Sequence, residues 1–330
     1  MLVTVLAGGV GGARFLRGVL AALDIPLTPQ PPGTPPVSPP AEAGAATRDE
    51  VRVIGNTGDD ITLFGLRVCP DLDTVMYTLG GGIDEGRGWG RDRETWAVRE
   101  ELGAYHAEPT WFALGDRDMA THILRTQMLE SGYPLSAVTE ALSVRWGLPA
   151  RGIHLLPMSD DRVETHVVVD DPGVEGGQRA LHFQEWWVRM QAKLPARRIL
   201  AAGAESARPG PGVVEAIHEA DAVLLAPSNP VVSIGTILAV PGVREALRTS
   251  GAPVVGVSPI ISGRPVRGMA DAALAALGVP VTARAVAELY RDFLDGWLVD
   301  TADTDAAAGA PGAAGDAADA GPARPLAVRA

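Results

Sequence analysis

Residues 2–20, LVTVLAGGVGGARFLRGVL, join an apolar strand to a helix through a turn that contains four glycines. Leu16 and Leu20 fall on one face of the helix, which we predict over residues 13–23. A buried strand that leads directly into an amphipathic helix is typical of a parallel β–α–β unit. The glycine turn itself allows three interpretations: a dinucleotide fingerprint, a nucleotidyltransferase loop, or a tight turn that binds no ligand.

The glycine pattern matches neither of the common nucleotide motifs in full. Gly9 and Gly11 fit the first two positions of G-x-G-x-x-G, but Arg14 stands at the third. A P-loop requires a lysine within the turn, and the only lysine of the chain is Lys193. A phosphate can still approach a glycine backbone closely, and the N-terminus of the following helix favours an anion.

Strands and helices alternate along most of the chain. Four segments read as buried parallel strands: residues 2–6, 51–54, 222–226 and 253–258. Residues 92–147 look wholly helical, and residues 153–190 look like short strands. This order predicts a doubly wound α/β core with a mostly parallel sheet, into which a helical and short-strand subdomain is inserted at about residues 80–190.

Two segments lack the pattern of a folded core. Residues 26–50 are rich in proline and show no apolar periodicity, which predicts a surface insertion between the first helix and the second strand. Residues 301–330 consist largely of alanine, glycine and aspartate, which predicts a disordered tail. Residues 1–300 are therefore expected to form a single α/β domain.

Charge and composition exclude several classes of function. The net charge of -12 argues against nucleic-acid or anionic-membrane binding, since both require a basic surface. No run of about 18 apolar residues is present, and the N-terminus lacks the basic region of a signal peptide. A single cysteine, Cys69, excludes an internal disulfide and a multi-cysteine metal site. We therefore expect a cytoplasmic protein.

The loops that follow the predicted strands are candidate sites, because doubly wound sheets bind ligands beyond the carboxyl ends of their strands. In GNTGDD, residues 55–60, Asn56 and Asp59 follow the second strand. Neighbouring carboxylates in extended chain point in different directions, so we expect only one of Asp59 and Asp60 to face a site. An Asx turn that caps a helix explains the same stretch equally well.

A second acidic stretch, PDLDTVMYTL, begins a helix predicted over residues 71–79. Asp71 is a plausible N-cap, whereas Asp73 lies off the apolar stripe and is free to face a pocket. If Asp59 and Asp73 converge, they provide the hard oxygen ligands that suit Mg²⁺. We then expect Asp73→Asn to reduce turnover far more than folding stability.

Three further polar stretches each allow a functional and a structural interpretation. APSNPVVSIG, residues 226–235, suits phosphate binding or forms a proline-bounded turn. In GDRDMATH and the residues after it, Asp118, His122 and Arg125 share one helix face, beside a plausible N-cap. SDDRVETH, residues 159–166, is a site or a turn between strands.

The motifs together resemble one family. They are LAGGVGGARFL, NTGDD, CPDLDTVMYTLGGGID, RGWGRDRETW, WFALGDRDMATHILRTQML, LLPMSDDRVETHV, HFQEWWVR, LLAPSNPVVSIGTIL and VSPIISGRPVRGMA. This set resembles the 2-phospho-L-lactate transferase family of coenzyme F420 biosynthesis, and within it the actinobacterial phosphoenolpyruvate transferase branch. The resemblance covers nearly all of residues 1–300 and implies a Rossmann-like fold, a required Mg²⁺ and a homodimer.

The resemblance also implies a reaction and the residues that support it. A phosphoenolpyruvyl or 2-phospho-L-lactyl group passes from a guanylated diphosphate donor to the ribityl hydroxyl of the deazaflavin Fo, and GMP leaves. Asp59 and Asp73 are implied as Mg²⁺ ligands or base, and Asp73 with Arg117 as deazaflavin contacts. The residues implied to contact phosphate, nucleotide or donor are Gly8, Gly9, Gly11, Gly12, Ser228, Asn229 and Pro230. From the residues alone we add two substrate contacts: Arg14, whose charge suits a phosphate, and Asn56, which follows the second strand.

Three alternatives remain from the residues themselves. A related group of non-enzymatic regulators that bind nucleotide sugars shares the glycine-rich start and the PSNP-like loop. A sugar nucleotidyltransferase fits LAGGVGGARF but lacks the lysine of that loop. An NAD-dependent oxidoreductase has only the imperfect glycine pattern in its favour.

Overall fold

The computed structural model describes residues 1–27, 49–304 and 327–329. The strands are β1 (Leu2–Ala7), β2 (Glu50–Gly55), β3 (Ile61–Leu63), β4 (Leu66–Val68), β5 (Ile153–Pro157), β6 (Glu164–Asp170), β7 (Gln178–His182), β8 (Ala196–Ala202), β9 (Ala222–Leu225), β10 (Val254–Val257), β11 (Ile260–Ile261), β12 (Arg264–Pro265), β13 (Gly296–Leu298) and β14 (Ala327–Arg329). The helices are α1 (Gly9–Ala22), α2 (Pro70–Leu79), α3 (Ala97–Ala104), α4 (Asp116–Glu130), α5 (Leu135–Arg145), α6 (Val213–His218), α7 (Ile234–Leu238), α8 (Val243–Thr249), α9 (Ala270–Ala276) and α10 (Ala283–Glu288).

Seven of the described strands form one sheet in the order β14-β13-β10-β9-β1-β2-β5, and every neighbouring pair is parallel. Val5 of β1 pairs with Val53 of β2 on one side and with Leu224 of β9 on the other. The chain passes from β1 to β2 in one direction and later returns to β9 in the other. The carboxyl ends of β1 and β9 therefore border the crevice where sheets of this type bind ligands.

Hydrophobic cores cover both faces of this sheet, as the doubly wound prediction requires. Val3 and Val5 of β1 point into a core with α1, α2 and α5, whereas Leu6 points into a second core with α6 to α10. Alternate side chains of a strand face opposite sides, so one apolar strand supplies both cores. The α/β prediction with a Rossmann-like, mostly parallel sheet is confirmed.

The middle of the chain departs from the sequence prediction in two respects. Residues 92–147 are not wholly helical, because α3, α4 and α5 are separated by turns that contain Pro109, Gly132 and Pro134. Gly132 has a φ of +88°, and proline lacks the backbone N–H that a helix interior requires. The first of the predicted short strands, β5, pairs with β2 and so belongs to the central sheet.

The remaining short strands form small antiparallel sheets. β6 lies between β7 and β8, and its second residue, Thr165, donates its backbone N–H to the carbonyl of Gly58 at 2.6 Å. This contact joins the inserted three-stranded sheet to the loop that follows β2. The β3–β4 hairpin begins directly after the same loop, at Ile61.

The two segments of unusual composition are only partly within the described residues. Residues 28–48 of the proline-rich insertion lie outside them, and Glu50, which we predicted to end the insertion, begins β2. In the tail, residues 305–326 also lie outside the described chain. Residues 327–329 form β14, parallel to β13, so the prediction of a wholly disordered tail is wrong there. A free sheet edge pairs readily with any extended segment within reach.

Candidate functional site

At the carboxyl ends of β1 and β9, two reciprocal hydrogen bonds join the loops that border the crevice. The backbone N–H of Gly8 donates to Ser228 Oγ at 3.0 Å, and the same hydroxyl donates to the carbonyl oxygen of Gly8 at 2.8 Å. Ser228 is buried. The glycine turn and the loop after β9 are thus held together, as the sequence prediction of a shared site requires.

The glycine turn is the first turn of α1, which begins at Gly9 and not at residue 13 as predicted. Glycine is a poor helix former, which led the sequence prediction to place the start too late. Gly9 has a φ of +61°. A Cβ on Gly8 would lie 2.5 Å from Asp71 Oδ2, and one on Gly12 would lie 2.6 Å from Ser228 Oγ. Close packing between protein segments therefore requires these glycines, whether or not phosphate contacts them.

This packing predicts opposite effects for two glycines of α1. In Gly11→Ala the new Cβ would lie 2.8 Å from the backbone carbonyl oxygen of Pro227, and we expect a loss of about 1–3 kcal/mol in the free energy of unfolding. Gly18 lies in the same helix with open space around its Cβ position, so Gly18→Ala should add about 0.5–1 kcal/mol. Urea denaturation of both variants measures the difference, and equal effects would contradict the packing argument.

Two carboxylates meet beside the crevice, and they are Asp59 and Asp71. Both are buried, and the amide of Asn56 donates to Asp71 Oδ2 at 2.9 Å. Burial, the charge of Asp71 and the charge of Asp60 raise the pKa of Asp59 well above its ordinary value, although hydrogen bonding by Asn56 and Thr165 lowers it. Burial raises the pKa of Asp71 to about 6, although Asn56 and the backbone N–H of Gly9 lower it.

Four buried oxygen atoms of the loop after β2 and of β6 lack a hydrogen bond of good geometry to the described residues: Thr57 Oγ1, Asp59 Oδ1, Asp60 Oδ1 and Thr165 Oγ1. The hydroxyl of Thr165 nevertheless lies close enough to Asp59 to lower the pKa of its carboxyl. A buried oxygen without a partner costs free energy, so a cluster of them indicates a bound group. Within the described chain no set of three or more His, Cys, Asp or Glu side chains forms a metal site. Mg²⁺ suits two carboxylates completed by hydroxyls, waters and substrate phosphates, so these residues fit it.

Asp73 lies in a different environment from the one that the sequence suggested. Both of its carboxylate oxygens accept hydrogen bonds from the guanidinium of Arg125, which is 1% exposed. His122 Nδ1 lies 3.2 Å from Arg125 Nη1, and His122 Nε2 lies 3.4 Å from Asp118 Oδ2. Tyr77 completes the group by donating to Asp118 Oδ1 at 2.7 Å.

The two acids of NTGDD point to different partners, as expected for neighbours in extended chain. Asp59 faces Asp71, whereas Asp60 pairs with Arg67 at 3.1 Å. Burial raises the pKa of Asp60 to about 6, against the influence of Arg67. The structure thus brings Asp59 to the crevice with Asp71, while Asp73 is paired with Arg125.

The other candidate residues have mixed surroundings. Arg14 is exposed, and its guanidinium donates to the carbonyl of Glu85 at 3.4 Å. Arg117 is half-buried, and its guanidinium has no hydrogen bond or ion pair with the described residues. Asn229 Oδ1 accepts the backbone N–H groups of the two valines that follow Pro230, which shapes the loop after β9.

Two stretches that allowed either interpretation have structural roles for most of their polar groups. Asp116 accepts the backbone N–H groups of residues 97 and 98 and so caps α3. Asp160 accepts the backbone N–H and hydroxyl of Ser136 at 2.6 and 2.9 Å and so holds the start of α5. Asp161 accepts the backbone N–H of Arg208 at 2.8 Å. The hydrogen bonds of these three acids therefore stabilise helix starts and a loop.

Sequence reasoning missed the two residues that complete the carboxylate site. Asp71 was read as a helix cap, but the cap position of α2 is Cys69 and Asp71 points to Asn56. Thr165 lies on β6, more than a hundred residues beyond Asp59, and it belongs to SDDRVETH, the stretch that allowed a site or a turn, although Thr165 itself was not singled out. For Asp71 the signal was its place as the first acid in PDLD, two residues before Asp73.

Comparison with known proteins identifies the family. The chain matches the family described as 2-phospho-L-lactate transferase CofD over residues 3–319. It is 60% identical over 309 residues to a phosphoenolpyruvate transferase from Kitasatospora aureofaciens, covering 93% of this chain and 88% of the relative. The chain belongs to the 2-phospho-L-lactate transferase family.

Two further relatives carry the same name. The phosphoenolpyruvate transferase of Thermobifida fusca is 62% identical over 306 residues, covering 92% of this chain and 88% of the relative. The phosphoenolpyruvate transferase of Mycolicibacterium smegmatis is 55% identical over 308 residues, covering 92% of this chain and 89% of the relative. The predicted family and its actinobacterial branch are confirmed, and these names do not favour the regulator, nucleotidyltransferase or oxidoreductase alternatives.

Solved structures support the fold. Protein BH3568 from Bacillus halodurans, described as a member of the upf0052 family, superposes with a TM-score of 0.54 at 18% identity, covering 91% of this chain and 80% of the other. At this identity the match concerns the fold alone. In the described residues no helix has the length and apolarity needed to cross a membrane.

Proposed function

We propose that the protein transfers a phosphoenolpyruvyl group from enolpyruvyl-diphosphoguanosine to the ribityl hydroxyl of the deazaflavin Fo, releasing GMP and giving dehydro coenzyme F420-0. The 2-phospho-L-lactyl group is the second donor candidate. The observation that carries the proposal is the buried Asp59–Asp71 pair with its unpartnered oxygens, beside the Gly8–Ser228 crevice, in a chain of this transferase family. The names of the relatives favour the enolpyruvyl donor.

The proposed reaction is a phosphoryl-type transfer, which depends on positioning and charge neutralisation more than on covalent catalysis. The ribityl oxygen attacks the phosphorus that carries the enolpyruvyl group, a new P–O bond forms, and the bond to the GMP phosphate breaks. The proton of the attacking hydroxyl passes to Asp59. Asp59 thus stands as the base or as a ligand of Mg²⁺, the two roles that the family resemblance implies for it.

On the donor side, the crevice offers hydrogen-bond donors suited to a diphosphate. The N-terminus of α1 has no acidic residue in its own first turn, and its N-cap residue Gly8 has no side chain to cap it. The Asp71 carboxylate lies against this helix start and interacts with the backbone N–H of Gly9, so a phosphate or a cation-bound phosphate would share the helix start with Asp71. Arg14 is exposed near this turn and is available to neutralise phosphate charge. Ser228, Asn229 and Pro230 shape the opposite wall. On the acceptor side, Arg117 is the candidate contact for the deazaflavin.

Mg²⁺ is the proposed cofactor, and Asp59 and Asp71 would hold it together with the hydroxyls of Thr57 and Thr165. Bound there, the cation would supply charge neutralisation for the phosphates. The ion pair with Arg125 leaves Asp73 less suited than Asp71 to serve as a ligand. We further propose a cytoplasmic location and a homodimer, in line with the family resemblance.

A donor comparison tests the proposed function. Purified protein with Mg²⁺, Fo and enolpyruvyl-diphosphoguanosine should release GMP and yield a product with the mass of dehydro coenzyme F420-0. A parallel reaction with lactyl-diphosphoguanosine should be slower, and the product masses separate the two donors. If neither donor gives a product while a nucleotide sugar binds tightly, the transferase proposal fails and the regulator alternative replaces it.

A further inference from the structure

The loop that carries Asp59 is held by the inserted three-stranded sheet on both sides of that residue. Before Asp59, the carbonyl oxygen of Gly58 accepts the backbone N–H of Thr165 at 2.6 Å. After Asp59, the carbonyl oxygen of Asp60 lies 3.1 Å from His182 Nε2. Because the backbone is held at both neighbours of Asp59, these two contacts fix the direction in which its carboxylate points.

His182 ends β7, and both nitrogens of its ring have a backbone partner. The backbone N–H of Gln184 lies 3.1 Å from Nδ1, and because this group can only donate, Nδ1 must accept. The carbonyl oxygen of Asp60 can only accept, so the proton of the ring must be on Nε2. The neutral ring with its proton on Nε2 satisfies both contacts, whereas an imidazolium would place a second N–H against that of Gln184.

The surroundings of His182 favour this neutral form. Its half-buried ring meets the ring of His166, its pairing partner on β6, edge to face with 5.8 Å between the ring centres. Burial lowers the pKa of His182, as do the charges of His166 and Arg67. The Asp60 carbonyl and the Glu164 carboxylate raise this pKa, but the net direction is downward. The ring therefore stays neutral to a lower pH than an ordinary histidine.

Loss of the contact with His182 would free one side of this loop. Asp60 is buried, and a buried carbonyl without a donor costs free energy, so the loop would shift toward another partner. The same shift would move the carboxylate of Asp59 relative to that of Asp71, its neighbour at the crevice. A misplacement of about 1 Å in a reacting group can cost about 10²-fold in rate.

We propose that His182 is a positioning residue for Asp59: its Nε2–H holds the carbonyl of Asp60 and thereby directs the Asp59 carboxylate into the crevice. This inference rests on the proposed function of Asp59. It gives the inserted sheet a part in the site, since β6 and β7 each provide one of the two hydrogen bonds that hold the loop.

Two amide variants separate the two hydrogen bonds of the ring. Glutamine places an amide N–H where the ring has Nε2, so His182→Gln keeps the bond to Asp60 and loses the bond to Gln184. Asparagine places its amide oxygen where the ring has Nδ1, so His182→Asn keeps the bond to Gln184 and loses the bond to Asp60. We expect the turnover rate of His182→Asn to fall about 10–100-fold at unchanged KM for both substrates, and that of His182→Gln to stay within about threefold of the wild type.

Mg²⁺ binding gives a readout that does not depend on turnover. Since Asp59 is a proposed ligand, calorimetry without substrate should give a dissociation constant for Mg²⁺ about tenfold higher in His182→Asn and unchanged in His182→Gln. His166→Gln is the control, because His166 Nε2 lies 3.1 Å from Glu164 Oε2, and it should leave turnover and Mg²⁺ binding unchanged. Urea denaturation gives the folded fractions at which all variants are compared.

The outcomes separate this inference from the proposed function. If His182→Asn turns over and binds Mg²⁺ like the wild type, or if both amide variants lose equally, the bond to Asp60 does not direct Asp59. The inference then fails, and the transferase proposal stands. If the wild type forms no product with either donor but binds Mg²⁺, and only His182→Asn weakens that binding, the proposed function fails and the positioning role remains. If the wild type shows neither product nor Mg²⁺ binding, both fail.

Discussion

Asp73→Asn is expected to lower the free energy of unfolding by about 3–5 kcal/mol, because the change leaves a buried guanidinium without its counter-charge. Arg125 is 1% exposed and donates to both carboxylate oxygens of Asp73. Neutral asparagine keeps the shape of the side chain but not its charge. This differs from the expectation from sequence, in which the variant lost turnover much more than stability.

A double-mutant cycle measures this pair. Urea denaturation of Asp73→Asn, Arg125→Met and the double variant gives the interaction between the two side chains. We expect the double variant to be more stable than the sum of the single losses predicts, since it removes both buried charges together. Additive losses would show that the ion pair contributes little. Turnover of Asp73→Asn then has to be compared at equal folded fractions.

Most strands of the central sheet were predictable from the sequence because both faces of that sheet are covered by helices. A parallel strand is covered on both faces, so it reads as a short apolar run, and β1, β9 and β10 do so apart from Thr4. β2 is less regular, because Arg52 interrupts its apolar residues and pairs with Glu50 and Glu219. The loops after these strands then had to meet at one edge of the sheet. The contact between Gly8 and Ser228 follows from that rule, although 220 residues separate them.

The choice between Asp71 and Asp73 was beyond the sequence pattern. Residues two apart on a helix point in nearly opposite directions, so only one of them can face the crevice. The sequence argument chose Asp73 because it lies off the apolar stripe of α2. That argument assumes one exposed face, but every residue of α2 from Asp71 to Leu79 is buried. On a helix that is buried on all sides, a polar residue indicates that a polar partner is nearby, but it does not indicate which face borders the ligand site.

The partners of these acids come from distant parts of the chain, which explains why the sequence did not reveal them. Arg125 reaches Asp73 from α4, and Thr165 reaches the loop after β2 from the inserted sheet. Each meeting depends on how an insertion packs on the core, and local periodicity carries no information about that. The shared helix face of Asp118, His122 and Arg125 was predicted, but its ion pair with α2 was not.

Asp59→Asn is expected to reduce turnover by about 10²–10⁴-fold while leaving stability unchanged or higher. The carboxylate is buried beside Asp71, and its Oδ1 has no hydrogen-bond partner in the described chain. Removing its charge relieves both desolvation and like-charge repulsion, so the free energy of unfolding should stay the same or rise while the turnover rate falls. Calorimetry should also show weaker Mg²⁺ binding to the variant without substrate, a measurement independent of turnover.

Asp60→Asn is the matched control, one residue along the same loop. It removes the partner of Arg67 but also relieves the burial that raises the pKa of Asp60 to about 6, so we expect a change in stability within about 1 kcal/mol and little change in turnover or Mg²⁺ affinity. A loss of turnover and Mg²⁺ affinity in Asp59→Asn but not in Asp60→Asn would assign Asp59 to the reaction and Asp60 to the structure. If Asp59→Asn instead destabilises the protein and turns over normally when folded, its carboxylate serves packing. The catalytic proposal would then have to move to Asp71, the other acid that contacts Asn56 at the crevice.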